Sequence, residues 1–188
     1  MDFEVFAEVA KGQNPPILPS PMSLASPSRP GVSTGRASIA IVASLYNETY
    51  VNAMLEAARA ELTELMPSAQ VTIYRVPGAF EVPVCAEYVL RATAPDALIA
   101  LGVILRGETE HADLVGASVT DALQRMAVAH VVPVVHEVLL LDSEEQARER
   151  CLGGRINRGA EAAGVAVNMI ELFRKMEVSI PFPHPPTA

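Results

Sequence analysis

Apolar residues along the chain form short unbroken runs, and these runs alternate with longer stretches in which apolar positions recur three and four residues apart. The runs Ser38 to Ser44, Gln70 to Val76 and Ala97 to Val103 are rich in β-branched residues, which favours buried strands. A fourth strand is predicted from Val131 to Leu140. The four runs therefore predict four strands, of which at least the most continuous are buried on both faces.

The stretches between the runs predict helices. Glu48 to Met66 has helical apolar spacing. Pro83 stands at the start of a second helix, a position where the missing N–H of proline costs nothing, and this helix ends near Arg91. Further helices are predicted over Asp113 to Ala129, over EEQARER with Ser143 as its cap, and over Ala160 to Lys175. Strands that alternate with helices predict an α/β fold, a three-layer αβα sandwich around a four-stranded parallel sheet that is doubly wound and flavodoxin-like.

The two ends of the chain differ from this pattern. Residues 1–36 include a segment dense in Pro, Ser and Gly that cannot bury enough apolar surface to offset the entropy of ordering, so we predict a flexible N-terminal arm. Residues 177–188 form a Pro-rich C-terminal tail. One folded domain, residues 37–176, is expected between them.

Composition narrows the possible functions. The net charge is −8 and no run of Lys or Arg is present, so nucleic-acid binding is not expected. No apolar run reaches the roughly 18 residues that span a bilayer, so no membrane association is expected either. Cys85 and Cys151 lack metal-ligand spacing and predict free thiols in a reducing cytoplasm rather than a metal site. No cofactor fingerprint such as GxGxxG is found, and the first 36 residues lack the apolar core of a secretory signal.

Ligands of doubly wound sheets bind at the carboxyl ends of the strands, so the loops that follow the strands carry the candidate chemistry. After the third strand, Gly107 permits a tight turn, and the N–H groups from Glu108 onward with the Thr109 hydroxyl could bind an anion. His111 carries an imidazole, the side chain that most often serves in proton transfer. From the residues alone, His111 could equally cap the first turn of the next helix.

The loops after the first two strands offer a second set of candidates. Ala79 and Phe80 in VPGAFEVP provide close backbone approach and a ring, and Glu81 provides a carboxylate for hydroxyl groups. Tyr46 could stack on a planar heterocycle while Asn47 binds its polar edge. The alternatives stay open, because Glu81 suits the first turn of a helix and Tyr46 could be an ordinary half-buried ring.

Arg150 lies in the short helix after the fourth strand. Its guanidinium fork suits a phosphate, although a solvated helix arginine is the commoner case. We expect Glu161, in the last helix, to pair with Arg150 and hold it in place.

From about Ser38 to Lys175 the chain resembles lumazine synthases, in order and without large gaps. The motifs are IAIVASLYNE, VPGAFEVP, ALGVILRGETEH, EEQARERCLGG and NRGAEAAGVAVNMIEL, and GAFEVP followed by a strand and RGETEH is a highly specific combination. The resemblance implies a transferase of riboflavin biosynthesis that needs no cofactor. It would condense 5-amino-6-(D-ribitylamino)uracil with 3,4-dihydroxy-2-butanone 4-phosphate to 6,7-dimethyl-8-ribityllumazine, releasing phosphate and water.

The resemblance also implies roles for individual residues. His111 would be the catalytic proton-transfer residue. The uracil and its ribityl chain would contact Tyr46, Asn47, Ala79, Phe80, Glu81, Val103, Ile104, Leu105 and, at the position of a family aromatic, His136. The phosphate would contact Gly107, the backbone of Glu108, Thr109 and Arg150.

Four positions depart from the family pattern. His136 and Glu137 replace the usual aromatic and glycine of PVxFGVLT, Arg158 replaces the lysine of the NKG turn, and Ala112 replaces the aromatic after the catalytic histidine. The changes at His136 and Ala112 affect ring packing rather than the acid–base or phosphate residues, and Arg158 keeps the positive charge of the lysine. A non-catalytic flavin- or lumazine-binding protein, or a structural shell protein, is the alternative function.

The resemblance implies a homo-oligomer with active sites between neighbouring subunits of a pentamer. Some family members close twelve pentamers into an icosahedral capsid, and the short LGGRIN turn here permits such a 60-subunit shell. Riboflavin synthase is a further partner that the resemblance suggests.

Overall fold

The computed structural model describes residues 28–154 and 156–179. Residues 1–27 of the predicted arm and the part of the predicted tail from residue 180 onward lie outside the described residues. Where they can be compared, the predicted and observed elements agree in type and order.

Four parallel strands form the central sheet in the order β2-β1-β3-β4. They are β1 (Ser38–Ser44), β2 (Gln70–Val76), β3 (Ala97–Leu105) and β4 (Val134–Leu141). The inner strands β1 and β3 are buried along nearly their whole length. Burial on both faces explains why these two strands are unbroken apolar runs in the sequence.

Among the described residues, five α-helices flank the sheet. They are α1 (Glu48–Leu65), α2 (Val82–Thr93), α3 (His111–His130), the single turn α4 (Glu144–Ala147) and α5 (Arg158–Ser179). Helices α1 and α5 pack on one face, and α2 and α3 pack on the other, each pair with its own apolar core. The predicted three-layer αβα sandwich with a four-stranded parallel sheet is therefore confirmed.

Several element boundaries were predicted wrongly. Helix α3 ends at His130 and is followed by Val131, which has left-handed backbone (φ 53°), so β4 begins at Val134 rather than at Val131. Ser143 caps α4 as predicted, since its hydroxyl accepts a hydrogen bond from the Gln146 N–H at 3.3 Å. The α-helical part of EEQARER then ends at Ala147, and the chain continues as a π-helical turn, Arg148–Leu152. Helix α5 is longer than predicted at both ends.

Residues 28–36, the end of the predicted arm, contact the outer surface of α1 and α5. The Arg29 guanidinium pairs with Glu61 at 2.5 Å, and the Ser33 N–H donates to the Leu65 carbonyl at 2.7 Å. The Ser33 hydroxyl donates to the Glu171 carboxylate at 2.6 Å. These contacts attach the segment immediately before β1 to the domain.

The strand order determines where a ligand site can form. The chain leaves β1 toward β2 on one side and returns to β3 on the other side, so the switch in strand order lies between β1 and β3. Crevices of doubly wound sheets open at the carboxyl ends of the strands at such a switch point. The loops after β1 and β3 therefore border the expected crevice.

Candidate functional site

An open cleft of about 410 Å³ lies at the carboxyl ends of β1 and β3. Its walls are Tyr46 and Asn47 after β1, Gly78 to Glu81 after β2, Val103 to Leu105 at the end of β3, and Gly107, Thr109, His111, Ala112 and Val115 from the loop and first turns of α3. All but three of the residues predicted from the sequence line this cleft. The three that do not are Glu108, His136 and Arg150.

Asn47 connects the loop after β1 to β3. Its backbone is left-handed (φ 57°, ψ 42°), a conformation that Asn tolerates better than most residues. Its side-chain amide donates to the Val103 carbonyl at 2.7 Å. The Tyr46 N–H donates to the Pro77 carbonyl at 3.1 Å, which joins this loop to the loop after β2. The wall that carries Tyr46 is thus fixed from two sides.

The backbone of Asn47 gives a direct test of this wall. Asn47→Ala loses both the amide hydrogen bond and the tolerance of left-handed backbone, whereas Asn47→Gly loses only the hydrogen bond. We expect the alanine variant to be less stable than the glycine variant by about 1 kcal/mol in urea unfolding. Equal unfolding midpoints for the two variants would mean that the left-handed backbone costs nothing at this position.

Two aromatic rings border the mouth of the cleft. Tyr46 and Phe80 are 74% and 60% exposed, large fractions for aromatic side chains. A Cβ at Gly78 would lie 2.9 Å from the Glu81 carboxylate and 3.4 Å from the Tyr46 ring. Glycine at position 78 therefore lets the Tyr46 ring and the Glu81 carboxylate approach the backbone of this loop closely. The arrangement offers apolar ring faces beside a carboxylate that can accept hydrogen bonds from hydroxyl groups.

The loop after β3 leads directly into α3, a helix of 20 residues whose first residue is His111. Arg106 stabilises this loop. Its guanidinium pairs with Asp113 at 2.5 Å and with Asp142, and its backbone N–H donates to the Leu141 carbonyl at 2.9 Å. The turn N–H groups and the Thr109 hydroxyl, at the positive end of the helix dipole, remain suited to an anion.

Arg150 lies on the π-helical turn, outside the cleft of its own chain. The expectation that Glu161 pairs with it is wrong, because Glu161 pairs with Arg158 at 2.7 Å, three residues away on the same helix. Among the described residues, the buried Nε of Arg150 has no hydrogen-bond partner. Burial raises the pKa of the nearby Glu137 to about 7, an effect that the positive charges of Arg158 and Arg150 oppose.

The His136 ring is fixed between β4 and α3 rather than in the cleft of its own chain. Its Nδ1 accepts from the Val138 N–H at 3.1 Å, so its proton lies on Nε2, which is 2.7 Å from the Thr120 hydroxyl. That hydroxyl donates to the Gly116 carbonyl at 2.8 Å. Burial lowers the pKa of His136, in agreement with a neutral ring whose two nitrogens both have partners.

Sequence analysis missed Gly78 and, on α3, two further residues of the cleft, Ala112 and Val115. Both lie in the first turns of α3 close to His111, with helical spacing between His111 and Val115. The signal was hidden because the helix was predicted to begin at Asp113, whereas it begins at His111. With the helix start placed correctly, the spacing would have indicated the cleft wall.

Other sites are not found in the part of the chain that the structure describes. No group of three or more His, Cys, Asp or Glu side chains there could hold a metal ion, and no described helix is long and apolar enough to cross a membrane. Cys85 and Cys151 are free thiols, and burial raises the pKa of Cys151 to about 11. A thiol with so high a pKa is a poor nucleophile near neutrality.

Comparison with known proteins assigns a family to the domain. Residues 36–174 match the family model described as 6,7-dimethyl-8-ribityllumazine synthase. A protein of that name from Coxiella burnetii is 36% identical over 142 residues, which cover 75% of this chain and 94% of the relative. Proteins of the same name from Xanthobacter autotrophicus and Halorhodospira halophila are each 37% identical, over 75% of this chain and 87% and 91% of the relatives. The matched region includes every segment that lines the cleft.

Proposed function

Since the chain belongs to the 6,7-dimethyl-8-ribityllumazine synthase family, we propose that the cleft at the carboxyl ends of β1 and β3 is its active site. The chain is an enzyme, a transferase of riboflavin biosynthesis that forms 6,7-dimethyl-8-ribityllumazine. The observation that carries the site proposal is the convergence, in one cleft, of residues from the three loops after β1, β2 and β3, which the sequence had already singled out.

In this proposal the 5-amino-6-(D-ribitylamino)uracil lies between the exposed rings of Tyr46 and Phe80. Backbone groups of Val103 to Leu105 bind the polar edge of the pyrimidine, and the Glu81 carboxylate accepts hydrogen bonds from ribityl hydroxyl groups. The amide of Asn47 is already bonded to the Val103 carbonyl, so Asn47 serves this subsite mainly by fixing the loop.

The phosphate of 3,4-dihydroxy-2-butanone 4-phosphate binds at the turn before α3. Backbone N–H groups of Gly107 and Glu108 and the Thr109 hydroxyl donate to it, aided by the helix dipole. Arg150 completes the phosphate site from a neighbouring subunit, which accounts for its place outside the cleft of its own chain. This local positive charge is needed because the chain as a whole carries a net charge of −8.

The reaction then needs repeated proton transfer, which we assign to His111. The 5-amino group attacks the ketone and water leaves, giving an imine. Loss of a proton from the adjacent carbon expels phosphate by β-elimination and leaves an enol, which tautomerises to a ketone. Attack of the ribityl-bearing nitrogen on that ketone closes the ring with loss of a second water. The largest remaining contribution to the rate comes from binding the two substrates next to each other, because their encounter in solution carries a high entropic cost.

A non-catalytic lumazine-binding or shell protein is not favoured, because the proposed reacting set His111, Thr109 and Arg150 is intact. The direct test is to incubate the purified protein with both substrates and to follow the yellow, fluorescent lumazine. We expect formation well above the spontaneous rate of the same mixture without protein. Lumazine binding without any such acceleration would establish the non-catalytic function instead.

We further propose that the chain assembles into a pentamer. Large apolar side chains on the outer faces of α2 and α3 are exposed, including Val84 (70%), Tyr88 (74%), Leu114 (67%) and Val128 (69%). Extended apolar surface of this kind usually marks an interface, and closed symmetric rings are the common solution for identical subunits. A pentamer also supplies Arg150 and His136 of one subunit to the cleft of the next.

Light scattering on the native protein tests the assembly. Five chains of 20.0 kDa give about 100 kDa for a pentamer, and a 60-subunit shell would have a mass above one megadalton. We expect one of these two masses, with the shell permitted by the short turn before α5. A monomer at micromolar concentration would contradict the pentamer and with it the site between subunits.

We also propose a cellular location and a partner for the enzyme. Two free cysteines, one of them fully buried, suit a reducing compartment and support a cytoplasmic location. Riboflavin synthase, which would use the lumazine product, stays a predicted partner.

A further inference from the structure

A cluster of four charged side chains lies behind β4, where the strand meets the π-helical turn and the start of α5. Glu137 projects from β4, Arg150 from the turn, and Arg158 and Glu161 from the first turn of α5. The cluster holds two positive and two negative charges and is neutral when all four are ionised. Its member Arg150 is the residue assigned above to the phosphate.

The backbone around the cluster is held in place by Asn157. Its side-chain amide donates to the Cys151 carbonyl at 2.8 Å, and its side-chain oxygen accepts from the Gly159 N–H at 2.9 Å. The π-helical turn and the start of α5 are therefore joined through one residue. The two arginines belong to segments whose relative position is fixed.

The hydrogen bonding within the cluster is incomplete. Arg158 pairs with Glu161 at 2.7 Å, but the buried Nε atoms of Arg150 and Arg158 have no partner among the described residues. Glu137 forms no ion pair within 4.0 Å there, although Arg150 and Arg158 both act on it electrostatically. A half-buried carboxylate thus faces two arginines that still have unused donors, an arrangement that favours an added acceptor.

Resting on the proposed phosphate role of Arg150, we propose that Glu137 is a positioning residue that acts as the internal counter-ion of the arginine pair. Without substrate, the ionised carboxylate balances Arg150 and Arg158. When the ketose phosphate binds, Glu137 takes up one proton from solvent and leaves the positive charge of Arg150 to the phosphate. No other bond is made or broken in this step.

The proton is required because a phosphate dianion adds two negative charges to a neutral, poorly solvated cluster. The groups that face Glu137 are Arg150 and Cys151 from the turn and Arg158 and Glu161 from α5. Burial already raises the pKa of Glu137 to about 7, and a bound dianion raises that pKa further. By reciprocity, ionisation of Glu137 as the pH rises through 7 must weaken binding of the dianion.

The test is Glu137→Gln, which removes the charge and keeps the shape of the side chain. For the wild type we expect KM for the ketose phosphate to rise about fivefold to tenfold between pH 6.5 and 8.5 beyond any rise in the variant, with kcat little changed. Titration of the substrate itself is common to both proteins and cancels in the comparison. Inhibition by sulfate, whose charge is constant in this range, should show the same difference.

Glu149→Gln is the matched control, because Glu149 is an exposed carboxylate next to Arg150 in sequence. It should keep the pH dependence of the wild type, and so should Glu137→Asp, which retains the carboxylate. If Glu137→Gln unfolds more readily than the wild type, loss of the pH dependence of KM in that variant supports the proposal only when Glu137→Asp retains this pH dependence.

The outcomes separate this inference from the function on which it rests. Identical pH profiles for the wild type and Glu137→Gln, with sulfate inhibition abolished in Arg150→Ala, would overturn the role of Glu137 alone. Sulfate inhibition that survives unchanged in Arg150→Ala would overturn the phosphate role of Arg150 and the present inference together. Loss of the pH dependence of KM in Glu137→Gln but not in Glu149→Gln supports the role of Glu137 as counter-ion.

Discussion

Replacement of His111 by alanine is expected to lower kcat by about 10-fold to 1,000-fold. His111 is the only proposed proton-transfer group in the cleft, and the condensation needs proton transfer in each of its steps. Spontaneous condensation of the two reactive substrates sets the residual rate. Because His111 is exposed at the first residue of α3, its loss should leave both Michaelis constants and the unfolding midpoint close to those of the wild type.

His130→Ala serves as the control, since His130 is the last residue of the same helix and does not line the cleft. It should retain wild-type turnover. If His111→Ala instead turns over substrate at the wild-type rate, His111 is not the proton-transfer residue and serves only as the start of the helix.

Arg150→Ala is expected to raise KM for the ketose phosphate by about 100-fold, while KM for the ribityl-aminouracil changes little. Only the ketose phosphate carries a dianion, and a charge-assisted, bidentate contact to it contributes roughly 2–3 kcal/mol. Steady-state kinetics with each substrate varied in turn measures the two effects separately.

Arg148→Ala is the matched control for this prediction. Arg148 lies on the same π-helical turn, is exposed, and pairs with Glu144 at 2.7 Å. An exposed pair of this kind contributes little to stability, so the variant should behave as the wild type. Equal increases in both Michaelis constants for Arg150→Ala would point to a structural role for Arg150 within the charged cluster.

The sequence predicts the centre of this molecule better than its edge. Strands β1 and β3 are buried on both faces, so their apolar runs are unbroken, and the loops that follow them were located correctly. Most of the cleft is built from these loops. Local sequence was sufficient here because the chemistry follows directly after elements with a strong pattern.

Features around β4 were harder to predict because they depend on contacts between distant segments. Nothing local distinguishes Val131, the residue with left-handed backbone that follows α3, from the start of a strand. The burial that raises the pKa of Glu137 likewise depends on how the π-helical turn and α5 pack against β4. The pairing of Glu161 with Arg158 is different, because it is a local contact three residues apart on α5 that helical spacing could have indicated.

A crystal structure of the native assembly with bound 6,7-dimethyl-8-ribityllumazine and phosphate would test the proposed active site most directly. We predict the lumazine ring between Tyr46 and Phe80, and the phosphate within hydrogen-bond distance of the Thr109 hydroxyl of one subunit and Arg150 of its neighbour. Ligand bound elsewhere, for example in the groove between α2 and α3 beside Val84 and Met126, with the cleft free of ligand, would contradict it.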